Sequence, residues 1–251
     1  MASAQAPSHP SLDEDVNADV AVIGAGITGI SVAAELVRAG RSVVLIEADR
    51  VAAGVTGFTT AKVSALHGAL YHHLSSGLGS DAATAYATSQ DLALQHVADT
   101  VVRLDINCDL EVRPAFVYSE SEADIDVLEK EAEAARRAGL AASFTTDTGL
   151  PFPVAGAVRV EGQLMFHPRR YLLAVLDDFV RRGGQVFERT RVTGLTEGSP
   201  NVLTCEGGQH VSAREVVVAS HYPIFDRSLL FARLSPRREF AVAGVVPREA
   251  D

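Results

Sequence analysis

Cysteine is scarce in this chain. Only Cys108 and Cys205 occur, far apart and outside any C-x-x-C pair. That scarcity points to a reducing compartment and argues against a metal or iron–sulfur site. Positive charge is also short. Lys and Arg number 22 against 32 Asp and Glu, a net charge of −10. With no basic stripe, that balance argues against nucleic-acid binding. The pairs Arg169–Arg170, Arg181–Arg182 and Arg237–Arg238 read as solvated flanks. No apolar run is long enough for a membrane span. The polar, acidic N-terminal stretch lacks the apolar core of a signal peptide. Residues 1–17 read as a disordered lead-in, and a cytoplasmic location is expected. No internal repeat or low-complexity block is present.

What the chain does hold is an ordinary globular composition, 47% hydrophobic and 22% charged over 251 residues. That is enough for one large domain or two intertwined ones. Its most telling stretch is residues 19–49. An apolar strand, Val20 to Ile23, runs into Gly24-x-Gly26-x-x-Gly29. A helical pattern follows, and a second apolar strand, Val43 to Ile46, ends on Glu47. The first glycine permits the tight turn, the second lets a pyrophosphate approach the backbone, and the third lets helix and sheet pack closely. The helix N-terminus offers N–H groups to the phosphates. Ile27, Ile30, Ala34 and Val37 recur at helical spacing and are expected to face the sheet. Glu47 stands where an acid hydrogen-bonds a ribose hydroxyl, and its charge disfavours a 2′-phosphate. The bland alternative, a glycine-rich turn without ligand, does not account for strand, helix, second strand and acid together.

Further on, residues 54–62 form a loop rich in small and hydroxyl residues. Helices are expected over 80–104, with Ser80 as N-cap and Tyr86, Ala93, Val97, Val101 and Leu104 on one face. Others are expected over 120–138, with a Ser119–Glu122 capping box, and over 168–182. Strands are expected near 114–119, 156–160, 162–166, 185–189, 191–196, 201–205, 208–212, 215–219 and 236–246. The order is βαβ, then mixed helix and strand, then a helix and a β-rich segment. The first and last pieces are expected to share one nucleotide-binding sheet.

Four stretches carry a family resemblance: the fingerprint through Glu47; Thr56–Val63 with Leu66-His67-Gly68; His167–Leu172; and Arg191-Val192 with Val216–Pro223. Together they resemble FAD-dependent oxidoreductases of the D-amino-acid oxidase/glycine oxidase type, in particular the N-terminal part of bacterial members fused to a C-terminal Rieske domain. The fold implied is α/β: a Rossmann-like FAD/NAD(P)-binding domain of glutathione-reductase type with a partial α+β substrate domain. Its expected parts are 18–105 and 168–225 for FAD, and 106–167 and 226–251 for substrate. The resemblance implies cofactor contacts at Gly24, Ala25, Gly26, Ile27, Thr28, Gly29, Glu47, Ala48, Thr56, Gly57, Thr59, Thr60, Val192, Ala219 and Ser220. Val192 would meet adenine through its backbone. Relatives usually carry glycine where His221 stands.

The implied reaction is oxidation of a C–N bond of an amine or amino acid by hydride transfer to flavin, with dioxygen or another acceptor reoxidising it. No catalytic acid or base is identified. Family members continue well past Asp251 and this chain has no Rieske-type Cys/His pairs, so it reads as a fragment, half of a split protein or a shortened form. Its partners would then include an electron acceptor or the missing C-terminal half. Two other readings stand beside this one: a non-catalytic nucleotide-binding remnant, and an NAD-dependent dehydrogenase, which the loop at 56–62 disfavours. His67, His72 and His73 read as surface or loop residues rather than metal ligands. Lys62 reads as a surface lysine on a helix starting near Thr59, with stabilisation of reduced flavin as the alternative. Tyr71, Tyr86, Tyr118 and Tyr222 read as core or interface aromatics. Arg238 matches no motif.

Overall fold

Val20, Ala21, Val22 and Ile23 are all buried. A strand apolar on both faces belongs inside a sheet covered on both sides. In the computed structural model, which describes residues 7–57, 59, 61–225 and 229–235, it takes that place. β1 (Val16–Ile23) pairs in parallel with β2 (Val43–Ile46) and with β10 (His210–Val218). With β7 (Gln185–Phe187), β8 (Val192–Thr196) and β9 (Asn201–Cys205) they form a six-stranded sheet, ordered β7-β2-β1-β10-β9-β8. β9 runs antiparallel to β10 and to β8. α1 (Ile27–Arg38) packs against β1, β2 and α6 (Pro168–Arg181), and the single turn α2 (Gly54–Gly57) also packs against α6. Its buried stripe is Gly29, Ile30, Ala33, Ala34 and Val37. Ile27, expected to face the sheet, is instead 46% exposed, because it opens the helix beyond the sheet edge.

The chain divides into two compact units, one drawn from Met1–Thr60 and His167–Glu239, the other containing Ala61–Phe166. The expected boundary at 105 therefore moves to 60. The reason lies in packing: residues 61–105 bury their apolar side chains with those of 106–166. Ala65, Leu66, Tyr71, Ala83, Ala87 and Leu94 share one core with Leu128, Ala135, Val158 and Leu164.

In this second unit a four-stranded sheet joins β3 (Lys62–Val63), β4 (Glu111–Ser119), β5 (Ala142–Thr145) and β6 (Gly156–Met165). β6 is one strand where two are expected. Gly162, at φ +71°, lies where its pairing with β4 slips by a residue, so the chain bulges without leaving the sheet. The expected strands at 208–212 and 215–219 are likewise the single strand β10. Lys62 lies exposed on β3, not on a helix.

Helices α3 (Tyr71–Leu78), α4 (Ser80–Arg103) and α5 (Ile125–Arg137) accompany the sheet. α3 has no counterpart among the sequence expectations. Its first turn is capped by the fully buried Glu131, which accepts from the Tyr71 and His72 N–H groups at 2.8 and 2.7 Å. Gly79, not Ser80, is the N-cap of α4, and Ala93 faces solvent. The capping box before α5 does not form. Ser119 Oγ donates to Asp124 instead, and Ser121 caps a short 3₁₀ turn.

The disordered lead-in is also corrected. From His9 the N-terminal segment is tied to the end of β7: His9 N–H donates to Glu188, Glu188 N–H donates to the Pro10 carbonyl at 2.9 Å, and Leu12 is buried, its N–H donating to Thr190 Oγ1 at 3.0 Å. No helix among the described residues is long and apolar enough to cross a membrane. The strand expected over 236–246, and Arg238 with it, lie outside the described residues.

Candidate functional site

β1, β2 and β10 end level with one another, Ile23 lying opposite both Ile46 and Val218. Beyond those carboxyl ends the backbone continues the ladder for one more step. Gly24 N–H donates to the Ile46 carbonyl at 2.7 Å and Ala219 N–H to the Ile23 carbonyl at 2.8 Å. A cleft of about 920 Å³ opens there, lined by residues 23–28, 46–50, 53–56, 190–192, 218–225 and 230. This is where open α/β sheets bind ligands.

The three glycines differ in what requires them. Gly24 has φ +101°, and a Cβ on it would come within 2.5 Å of the Ala219 carbonyl oxygen. A Cβ on Gly29 would lie 1.8 Å from the Gly24 oxygen. Both are demanded by the protein's own packing. A Cβ on Gly26 would meet nothing nearer than Thr56 Oγ1 at 3.4 Å, an ordinary contact. Its backbone, at φ −85° and ψ −168°, suits any residue. Nothing among the described residues requires glycine at 26.

Gly26 is the N-cap of α1 and brings no side-chain cap. Ile27 N–H donates to Thr56 Oγ1 at 3.3 Å. The other first-turn N–H groups have no acceptor within the helix. Glu47 is held on both oxygens, Oε2 accepting from Ala25 N–H at 2.8 Å and Oε1 from Asp49 N–H at 2.9 Å. A carboxylate offers about four lone-pair sites, so acceptor capacity remains for two hydroxyl donors. Ala48 lies beside it, and Val192, nearly buried at the start of β8, lines the same cleft.

Of the fifteen expected site residues, Gly24, Ala25, Gly26, Ile27, Thr28, Glu47, Ala48, Thr56, Val192, Ala219 and Ser220 line this cleft. Four do not line it as described. Gly29 packs behind Gly24, and buried Gly57 lies against Ala52 and Arg169. Thr59 is half-buried and not among the lining residues, and Thr60 lies outside the described residues. The Ser220 hydroxyl is committed to its own turn, donating to the Tyr222 carbonyl at 2.6 Å.

Sequence reasoning missed the supports. Glu188 is fully buried. It accepts from Val51 N–H at 2.8 Å and His9 N–H at 3.0 Å, and pairs with Arg50 Nε at 3.3 Å. It thereby ties the segment after β2 to the end of β7 and sets Arg50 at the cleft. Arg50, Asp49, Arg191, His221 and Tyr222 also line the cleft, with Ile27, Val55 and Ile224 as an exposed apolar rim. His221 carried a signal in the sequence as a departure from glycine, and Arg191 and Tyr222 stood in the fourth stretch of the resemblance. Cys205, at the β8 partner position of Val192, is nearly buried, and burial foremost pushes its thiol above the usual range.

Of the other candidates, Tyr222 lines the cleft, and the rest are not among its lining residues. His67 is exposed, its Nδ1 3.1 Å from the Tyr86 hydroxyl, and His72 and His73 are exposed on α3. No group of three metal-binding side chains occurs among the described residues. Tyr71 belongs to the core, whereas Tyr118 and Tyr222 are nearly half-exposed.

Residues 19–245 match the family model described as FAD dependent oxidoreductase, DAO. A putative Rieske 2Fe-2S iron-sulfur protein of Bacillus subtilis (strain 168), YhfW, is 32% identical over 242 residues, 96% of this chain and 48% of that protein. Gamma-glutamylputrescine oxidoreductase of Escherichia coli (strain K12) is 26% identical over 222 residues, 86% of this chain and 52% of that protein. The chain thus spans about half the length of the curated relatives it matches. Among solved structures, glycine oxidase from Geobacillus kaustophilus superposes with a TM-score of 0.62 at 20% identity, over 82% of this chain and 55% of that one. L-proline dehydrogenase from P. horikoshii gives 0.66 at 16% identity, over 83% and 53%. These likenesses show the Rossmann-like fold, and the family match shows the lineage: the chain belongs to the DAO family of FAD-dependent oxidoreductases.

Proposed function

We propose that the cleft at the ends of β1, β2 and β10 holds the ADP portion of FAD, and that the whole protein oxidises a C–N bond of an amine or amino acid. The diphosphate lies over the Gly24–Gly29 turn and the N-terminus of α1, where N–H groups and the helix dipole favour an anion. The adenosine ribose donates to the spare acceptor sites of Glu47, and adenine meets the backbone of Val192. The observation that carries this reading is the space at Gly26, where no atom of the described residues would come nearer to a Cβ than Thr56 Oγ1 at 3.4 Å. When bound, FAD supplies a two-electron acceptor for the hydride equivalent leaving the substrate carbon. The chain's own residues bind and orient that cofactor.

The unit containing Gly24 and Val192 is on this reading the cofactor unit, and the unit containing Ala61–Phe166 belongs to the substrate side. The amine or amino-acid class rests on the relatives, whose names speak of gamma-glutamylputrescine, glycine and L-proline. The test is titration of purified protein with FAD, NAD and ADP. FAD quenched on binding at near one-to-one stoichiometry, with ADP competing, is the expected result. Tight NAD binding in preference to FAD overturns the cofactor assignment, and no binding of any of the three favours a non-catalytic remnant.

A further inference from the structure

His221 holds a backbone that a side chain resists. Its φ is +65°. Across it, Tyr222 N–H donates back to the Ser220 carbonyl at 2.7 Å. That closes a γ-turn with a left-handed centre, the rare and strained form. Neighbours hold the turn in place: Ser220 Oγ donates to the Tyr222 carbonyl, and Ala219 N–H to Ile23. The turn stands directly against the glycine loop, since a Cβ on Gly24 would meet the Ala219 oxygen at 2.5 Å and Ser220 Cα at 3.2 Å. Glycine at 221 would take this conformation without strain. An imidazole occupies it instead, exposed and lining the cleft. Strained residues of this kind persist where the surroundings over-determine them and cluster at ligand sites.

We propose that His221 is a cofactor-binding residue whose imidazolium faces the FAD diphosphate and strengthens its binding. The inference rests on the reading that this cleft holds FAD. An imidazolium N–H to a phosphate oxygen is a charge-assisted hydrogen bond, stronger than its neutral counterpart. The other charged or titratable groups lining the cleft are Glu47, Asp49, Arg50, Arg191 and Tyr222. Imidazole is the side chain whose charge ordinarily changes between pH 6 and 8. The diphosphate of FAD, having no terminal phosphate, keeps its charge across that range. A pH response of affinity between 6 and 8 that is lost when His221 is replaced therefore reports this imidazole.

The experiment is FAD titration at pH 6 and pH 8, at fixed ionic strength, of the wild type, His221→Asn and His221→Gly, read by flavin fluorescence. Asn tolerates the left-handed region, so it removes the charge while keeping the turn. Gly removes the strain as well, and its apo protein should melt higher than wild type. The wild type is expected to bind FAD about 5-fold tighter at pH 6 than at pH 8. Both variants should bind equally at the two pH values and match wild type at pH 8. A wild-type pH response that survives in His221→Asn overturns the assignment. A wild type that binds FAD at neither pH overturns the cofactor reading itself, and this inference with it.

Discussion

Replacing Gly26 by serine separates the ligand's demand from the protein's. The added Cβ meets only Thr56 Oγ1, at 3.4 Å, and the backbone at φ −85° accepts it. Position 26 is the N-cap of α1, where serine is better than glycine by a few tenths of a kcal/mol. The apo fold should therefore keep its melting temperature within about 2 °C. Alanine at Gly29 is the control, because its Cβ would lie 1.8 Å from the Gly24 oxygen. That overlap forces helix and turn apart, at a cost of about 3 kcal/mol or more. For the ligand the order reverses. On the proposed binding mode a Cβ at 26 would stand in the path of the diphosphate, and losing contact with the helix N–H groups should cost about 2 kcal/mol, a roughly 30-fold weaker Kd for FAD. Melting is followed by far-UV circular dichroism, since the chain has no tryptophan, and affinity by flavin fluorescence. Gly26→Ser binding FAD within threefold of wild type would refute the reasoning, as would Gly26→Ser melting as low as Gly29→Ala.

Other perturbations test the supports. Glu188→Ala strips the acceptor from the Val51 and His9 N–H groups, while Arg50 and Arg189 stay hydrated. The expected loss is about 2 kcal/mol, a melting point lower by roughly 4–8 °C, and an unchanged melting curve counts against the clamp. Hydrogen bonds from the Ser42 backbone N–H, and then its hydroxyl, hold the Asp19 carboxyl below its ordinary value. A depressed folded value adds stability that is complete above the unfolded carboxylate range and fades as pH falls through the folded value. Asp19→Asn should therefore lower stability at pH 7 and converge with wild type under acid, which urea melts from pH 7 down to pH 2 will show or refute. Cys108 and Cys205 are buried, and burial raises the Cys205 thiol. Neither should react with a thiol reagent until the protein unfolds; fast labelling of the native protein would contradict their burial.

The legible part of this molecule is its local chemistry. The strand at Val20–Ile23, the glycine turn and the acid at Glu47 are adjacent in the chain, and each residue type answers a requirement of backbone geometry or ligand approach. α3 was not legible because its cap, Glu131, lies 60 positions from Tyr71. Glu188 was illegible for the same reason. Its partners Val51 and His9 stand 137 and 179 positions away, and one glutamate among many carries no mark of burial. The boundary at residue 60 was misread because helical periodicity identifies an apolar face without naming the core that receives it. The N-terminal segment was misread because its polar composition conceals a single anchor, Leu12.

By itself, then, the sequence determined the dinucleotide fingerprint, the βαβ unit around it and the family. Those depend on short-range sterics, where one missing Cβ or one strand period decides the outcome. Only the tertiary structure decided which glycines the protein needs for itself and which one leaves room for a ligand. It alone brought Ala219 to the turn at Gly24 and Val192 into the same cleft, and it alone revealed the strained γ-turn at His221. Those are properties of distances between residues remote in the chain, set by how the sheet brings its strand ends together.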